Sequence, residues 1–308
     1  MDVVLITNVL AATVVAGTPL LLVALGELVC ERSGVLNLGQ EGMMLMGAVI
    51  GFIAATATGS LSMGVLAAML GGVLMAMLFA LMAITLAANQ YAAGLALTIF
   101  GIGLSSFVGS GFVGQSIDGF DKIAIPLLSD IPVIGQVLFN QDLLVYASLL
   151  IFVLVFCFLK YSRGGLILRA VGESPEAANA NGLRVLPVRY MAVAFGGAMA
   201  GLAGAYLSLA YTPMWTENMT AGRGWIALAL VVFATWLPVR ALLGAYLFGA
   251  VWIMGLYVQG LGLGVPAQFL SSLPYLVTIA ALVVISRNRA VAKVNTPACI
   301  GLPFVPDR

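Results

Sequence analysis

The sequence predicts an all-α membrane protein, a bundle of about nine transmembrane helices. Of its 308 residues, 62% are hydrophobic and only 8% are charged, whereas an average soluble domain carries about 25% charged residues. The apolar residues also form runs suited to a hydrocarbon core of about 30 Å, which takes about 20 helical residues. A soluble fold of this size could not keep so much apolar surface from water, but a bilayer can.

The apolar runs are separated by polar residues or by glycine and proline. They cover residues 9–29, 41–58, 63–88, 92–111, 142–159, 188–210, 224–237, 241–259 and 272–286. Two of them, 41–58 and 224–237, are short for a complete span. The first run follows no basic segment of the kind that opens a cleaved signal peptide, so we interpret it as a retained span. Residues 1–308 are expected to form a single transmembrane domain.

Composition also argues against several partners and cofactors. The net charge is +1, so no basic field points to nucleic acid. The chain has no histidine, and its three cysteines are scattered without metal-ligand spacing. We therefore expect no bound metal and no bound cofactor. The spacing of Gly47 and Gly51, and of Gly197 and Gly201, is typical of helices that pack closely in lipid.

Basic residues predict the orientation, because they favour the cytoplasmic side. Five of them lie in the segment 160–189 and four more in the tail 286–308. If both segments are cytoplasmic, the N-terminus lies outside and residues 112–141 form an external loop. With this orientation, Lys122 and Arg223 are the only basic residues expected on the external side of the membrane.

Within the cytoplasmic segment, residues 169–184 predict a short helix outside the membrane. Ser174 is a favourable N-cap, and Pro175 fits the first helical position, where its missing N–H costs nothing. Glu176 places negative charge at the positive end of the helix dipole, and Gly182 supplies a left-handed stop. Such a helix could seat in a groove of a separate protein, or it could be an ordinary solvated helix between two spans. The residues predicted to contact this separate protein are Arg169, Gly172, Glu173, Ser174, Pro175, Glu176, Ala177, Ala178, Asn179 and Gly182.

Polar residues cluster at the breaks before the two short runs. Glu27 and Glu41 flank the first break, and they are the clear carboxylates at membrane depth. Charged groups at that depth are costly and mark function, and two short, glycine-interrupted segments in the two halves are typical of transporters. The alternative is that both breaks are plain turns whose polar groups cap helix ends. The candidate pathway residues are Asn37, Gln40, Glu41, Glu27, Asn218 and Arg223.

Three blocks carry a resemblance to a known family. The block 169–183, followed by the glycine-rich run 196–205, looks like permeases that import ribose, nucleosides and branched-chain amino acids. Gly26-Glu27-Leu28 with the block 31–48 resembles the smaller permease subunit of nucleoside importers that are served by a basic-membrane-protein-type lipoprotein. The third block is 222–229, followed by Trp236-Leu237-Pro238.

The resemblance implies a permease subunit of an ATP-binding cassette importer in a bacterial inner membrane, with a fold like the membrane domain of vitamin B12-type importers. It implies three protein partners: an ATP-binding subunit, a second related permease and an external substrate-binding lipoprotein. The segment 160–189 would then be the coupling loop. The substrate would be a nucleoside, with simple sugars such as ribose, then branched-chain amino acids, as alternatives.

The sequence has no glycine-rich phosphate loop ending in Lys and Ser or Thr. We therefore expect the ATPase to be another chain and this chain not to be an enzyme. Two other classes of membrane protein fit this sequence less well. A secondary transporter would need a relay of Asp, Glu or His in several helices, and a membrane-embedded enzyme would need a metal cluster or a nucleophile with its base.

Overall fold

The computed structural model describes residues 3–261, 264–286 and 295–305. In these residues a bundle of helices is accompanied by one short hairpin. The helices are α1 (Val3–Arg32), α2 (Gln40–Thr58), α3 (Leu61–Ala80), α4 (Gln90–Gly109), α5 (Ile134–Leu138), α6 (Leu143–Tyr161), α7 (Arg163–Glu173), α8 (Pro175–Ala180), α9 (Val185–Tyr206), α10 (Arg223–Phe233), α11 (Pro238–Gly260) and α12 (Ala267–Ser286). The strands are β1 (Lys122–Ala124) and β2 (Asn140–Asp142), which pair antiparallel.

Among the described residues, seven helices are long and apolar enough to cross a membrane, and they confirm a polytopic helical bundle. They are α1, α2, α3, α4, α6, α9 and α11, of which α3 and α9 continue through short π-helical turns to Thr85 and Tyr211. Two further apolar helices, α10 and the described part of α12, are shorter. Each of the nine predicted runs coincides with one of these helices. A count of nine complete spans stays a prediction, because the 11 residues of α10 rise only about 16 Å.

Helix α1 forms the centre of the bundle. Every residue from Ala16 to Glu31 is buried. Helices α6, α9, α10 and α11 pack around it. Its apolar residues are distributed over all sides of the helix, which is the pattern of a helix enclosed by others.

Glycines bring the backbones of α2, α3 and α9 together. A Cβ atom added at Gly201 would collide with the carbonyl oxygen of Ala68 in α3, and one at Gly47 would collide with Gly201 itself. Gly72 and Gly197 face each other in the same way. The glycine spacing seen in the sequence therefore serves contacts within this chain.

The two ends of the bundle differ in structure. Gly172, at the end of α7, packs against the carbonyl group of Arg32, so α7 and α8 lie where α1 ends. The hairpin of β1 and β2 lies beside the first half of α1, where Lys122 and Ala12 line one cavity. The two places are about 30 Å apart along α1. The hairpin and α5 were not predicted, since strands of three residues carry too little pattern to be seen in a sequence.

Replacing Gly201 by leucine should destabilise the bundle by about 1–3 kcal/mol or more, because the new side chain has no space against α3. Thermal unfolding of the detergent-purified protein, followed by fluorescence-detected size exclusion, measures this. Gly103→Leu is the matched control, since a Cβ atom there meets no atom within 4 Å. Equal melting temperatures for the two variants would contradict the packing argument.

Candidate functional site

Helix α8 has the local structure that its sequence predicts. The Oγ atom of Ser174 accepts a hydrogen bond from the backbone N–H of Ala177 at 3.3 Å. Pro175 occupies the first helical position, and Gly182 follows the helix with a φ of +79°. The predicted cap and stop are both confirmed.

The bundle holds α8 on a small apolar seat. Ala178 packs in a cluster with Val171, Val185 and Phe304, and Pro175 is also buried. The opposite face of α8 is turned outward. Its exposed residues are Glu176, Ala177, Asn179 and Ala180.

The ten residues predicted for the contact therefore divide into two groups. Three of them, Gly172, Pro175 and Ala178, are buried in the seat. Ser174 is half-buried. The exposed ones, available to a partner, are Arg169, Glu173, Glu176, Ala177, Asn179 and Gly182.

The described part of the C-terminal tail, residues 295–305, joins this seat to the loop that follows α1. The N–H of Cys299 donates to the carbonyl oxygen of Gly172, and the N–H of Gly301 donates to that of Gly34, each at 3.1 Å. The sequence analysis placed 286–308 in a cytoplasmic tail. Its described residues are packed on the bundle, and its basic residues lie outside the described ranges.

Arg189, at the start of α9, also holds the tail. Its Nη1 atom donates to the carbonyl oxygen of Leu302 and its Nε atom to that of Ser33, both at 3.3 Å. Only 1% of Arg189 is exposed. In the sequence Arg189 is one of five basic residues of the segment 160–189, and no local pattern there indicates its place in the core.

The loop between α1 and α2, residues 33–39, turns back into the bundle and binds Glu27. The N–H of Asn37 donates to Oε1 of Glu27 at 2.9 Å, and Nε2 of Gln40 donates to Oε2 at 2.5 Å. All three side chains are fully buried. The structure thus brings these three predicted residues together.

Side chains of α4 form hydrogen bonds with the backbone of this loop. The N–H of Leu36 donates to Oε1 of Gln90 at 2.8 Å, and the hydroxyl of Thr98 donates to the carbonyl oxygen of Leu38 at 2.9 Å. Irregular backbone at membrane depth is tolerated where protein encloses it and meets its hydrogen bonds. The loop fulfils that condition.

Glu41, in the first turn of α2, caps the start of α10. Its Oε1 atom accepts from the hydroxyl of Thr220 at 2.5 Å and from the N–H of Gly222 at 2.8 Å. Its Oε2 atom accepts from the N–H of Gly224 at 2.6 Å. A carboxylate is stabilised there by the free N–H groups and the positive end of the dipole. The two short segments singled out in the sequence therefore meet at this one side chain.

Arg223 lies beside this cap and is buried, with 6% of its surface exposed. Its Nη1 atom donates to the carbonyl oxygens of Met219 and Thr220, both at 3.2 Å. Its guanidinium carbon lies 4.4 Å from the ring centre of Trp252 and 5.5 Å from that of Tyr211. The count of basic residues places Arg223 on the external side of the membrane, which stays a prediction, but it gave no sign that this residue is buried at the start of α10. Asn218, in contrast, is exposed in the preceding loop.

A third buried carboxylate was missed. Glu31 is 1% exposed, and its Oε2 atom accepts from Nε1 of Trp236 at 2.5 Å. The neighbouring Arg32 donates from Nη2 to the carbonyl oxygen of Trp236 at 2.9 Å. Glu27 and Glu41 are therefore not the only buried carboxylates among the described residues. The available signal was that Glu31 follows Glu27 by four positions and so shares its helix face.

Comparison with known proteins identifies the family of this bundle. Residues 9–285 match the family described as "Branched-chain amino acid transport system / permease component". The chain belongs to this permease family. The resemblance seen in the sequence blocks is confirmed.

Three relatives extend over nearly the whole permease. It is 44% identical over 297 residues to "Putative glucose ABC transporter permease protein" of Haloferax volcanii, covering 89% of this chain and 90% of that one. It is 33% identical over 322 residues to "Guanosine ABC transporter permease protein" of Bacillus subtilis, covering 99% of both. It is 31% identical over 288 residues to "Nucleoside ABC transporter permease protein" of Lactococcus lactis, covering 89% and 90%. These relatives are named as permeases of ATP-driven transporters and not as enzymes.

Replacing Glu41 by alanine should lower the stability of the permease by about 3 kcal/mol, because several N–H and O–H groups lose their acceptor inside the bundle. Glu41→Gln keeps one acceptor oxygen and should cost less. Thermal unfolding of the purified protein measures both. Glu217→Ala, which changes an exposed residue of the same loop, should stay within about 0.5 kcal/mol of the parent. A melting temperature of Glu41→Ala equal to that of Glu217→Ala would refute the capping role.

Proposed function

We propose that this permease forms the membrane path of an ATP-driven importer for nucleosides and that α8 receives the movement of a separate ATPase. The geometry of α8 carries the proposal. Its inner residues Pro175 and Ala178 are fixed on the bundle, while Glu176, Ala177 and Asn179 face outward. A six-residue helix is too short to be stable alone. Held by the bundle on one face and by a groove of the ATPase on the other, α8 would transmit a movement of the ATPase to the bundle.

The proposal includes the partners and the location. The permease works with an ATP-binding subunit that uses the ATP, with a second related permease, and with an external substrate-binding lipoprotein. It lies in the inner membrane of a bacterium with its C-terminus in the cytoplasm and its N-terminus outside. In this arrangement nine helices, including α10 and α12, lie within the membrane, and the fold is that of the vitamin B12-type importers.

The substrate path is proposed to run past the meeting point of α2 and α10. Glu41 supports this proposal because it joins the two helices, and Arg223 adjoins it. Gln40, next to Glu41 in the chain, shares the carboxylate of Glu27 with Asn37. The test of this path is substrate uptake by the Glu41→Gln variant, divided by the amount of assembled complex. Unchanged uptake per complex would remove Glu41 from the path and leave it a purely structural cap.

Nucleosides are the first choice of substrate, because two of the relatives are named for guanosine and for nucleosides. Glucose is the second candidate. It is favoured by the 44% identity to the relative named for glucose. Identity by itself does not decide between them, since the path of such an importer can be weakly selective when an external protein binds the substrate first.

Cells that express the complete importer, and lack their own nucleoside and glucose uptake, should accumulate radiolabelled guanosine and uridine. Accumulation should require ATP hydrolysis by the partner subunit. Labelled glucose should not accumulate above the level of cells without the importer. Uptake of glucose and of neither nucleoside would reject the first candidate in favour of the second.

Replacing Ala177 by arginine should abolish co-purification of the ATPase and reduce substrate-stimulated ATP hydrolysis at least tenfold, because a long charged side chain would prevent close seating of α8. Ala177 is exposed, so the melting temperature of the permease should not change. Ala88→Arg is the matched control: Ala88 is also exposed, and it lies between α3 and α4 at the same end of the bundle. Normal ATPase binding by Ala177→Arg would show that α8 is not the contact.

A further inference from the structure

A second site lies at the end of the bundle opposite α8. It is a cavity of about 490 Å³ between the first half of α1, the hairpin of β1 and β2, the end of α9, and α11. Cavities that bind small molecules have volumes of about 300–1,000 Å³. The residues on which the argument depends are Asn8, Phe120, Lys122, Gln141, Asp142 and Tyr211.

Gln141 lines this cavity and carries a buried acceptor that is not used. The side chain is 1% exposed, and its Nε2 atom donates to the carbonyl oxygen of Val137 at 2.7 Å. Its Oε1 atom has no hydrogen-bond partner among the described residues. A buried acceptor without a donor is costly, and a ligand hydroxyl or N–H group would relieve that cost.

Lys122 and Asp142 add opposite charges to the same wall. They are directly paired in the register of the hairpin. Burial raises the pKa of the Asp142 carboxyl, and the positive charge of Lys122 acts in the opposite direction. A wall with one cation and one anion disfavours an ionic solute and offers both a donor and acceptors to a neutral one.

Aromatic groups connect the cavity to the centre of the bundle. Tyr211 lines the cavity, and the guanidinium group of Arg223 lies 5.5 Å from its ring centre. The next residue, Gly224, donates its N–H to Glu41. A continuous series of contacts therefore runs from the cavity to the point where α2 and α10 meet.

We propose that this cavity is a binding site for a neutral nucleoside on its way into the bundle, with the base against the rings of Tyr211 and Phe120 and the ribose hydroxyls at Gln141 and Asp142. The aromatic rings favour a nucleoside over a simple sugar, because every base offers a face for stacking. This inference rests on the proposed function, since it assigns a site to the substrate of the same importer.

Protection of an introduced cysteine tests the site. Asn8 is exposed and lines the cavity, so Asn8→Cys is made in the full chain after the three native cysteines are changed to alanine. Cells carrying the complete importer are treated from outside with a charged, membrane-impermeant thiol reagent. Guanosine at millimolar concentration should slow the labelling at least threefold, and ribose and glucose should not. Asp130→Cys is the control. Asp130 is exposed in the predicted external loop 112–141 and does not line the cavity, so its labelling rate should be the same with and without each solute.

A matched pair of variants tests the role of Gln141. Gln141→Met keeps the side-chain size but removes the unused acceptor, and it should raise the guanosine concentration for half-maximal protection about threefold to tenfold, the effect of one lost hydrogen bond. Gln115 also donates from Nε2 to the carbonyl oxygen four residues earlier and is exposed outside the cavity, so Gln115→Met should leave that concentration unchanged. Lys122→Gln, at an exposed position, gives a second measurement if Gln141→Met is poorly assembled, and it should also weaken protection.

The outcomes separate this site from the wider proposal. Guanosine uptake by the native importer without any protection at Asn8→Cys overturns the site and leaves the nucleoside importer standing. Protection by glucose and not by guanosine also overturns it. Absence of nucleoside uptake by the native importer refutes the proposed function itself.

Discussion

The carboxylate of Glu41 is the constraint on which the rest of the inner structure depends. It accepts hydrogen bonds from Thr220, Gly222 and Gly224, so the free N–H groups at the start of α10 are met inside the bundle by protein and not by water. Helix α10 can therefore begin within the bundle. At its other end, Glu31 and Arg32 bind Trp236. An apolar helix of half the usual length is thus fixed at both ends by α1 and α2.

Much of the fold could be predicted because it depends on composition and on neighbouring residues. The apolar runs predicted the positions of the helices, and Ser174, Pro175 and Gly182 predicted α8, since caps and stops act over a few positions. The polar residues at the first break were also recognisable, because carboxylates are rare at membrane depth. The partners of those residues were not. Trp236 binds a residue 205 positions away, and no local pattern encodes such a pairing.

The omissions have physical causes. Counting positive charges treats each basic residue as solvated, so it gave no sign that Arg223 is buried. In the structure two carbonyl oxygens and two aromatic rings replace the water around it. Arg189 is a similar case, since its Nε and Nη1 atoms donate to backbone carbonyl oxygens of distant segments. A planar cation with several donors can be buried in this way, with backbone carbonyl oxygens as its hydrogen-bond acceptors.

The C-terminal segment ties α8 to the loop that follows α1. Gly172, next to α8, and Gly34, at the start of the loop that binds Glu27, both accept hydrogen bonds from residues 299–301. The same loop leads directly into α2 and Glu41. The exposed face of α8 and the buried start of α10 are therefore linked by a short series of covalent backbone segments and hydrogen bonds.

The position of Phe304 under α8 has a consequence for biosynthesis. Ribosomes make the chain from its N-terminus, so α8 emerges long before the aromatic ring that completes its seat. A product shortened by premature termination would carry all the bundle helices described here and an α8 without its support. The seat of α8 is thus completed only after residue 304 has been made, later than every helix of the bundle described here.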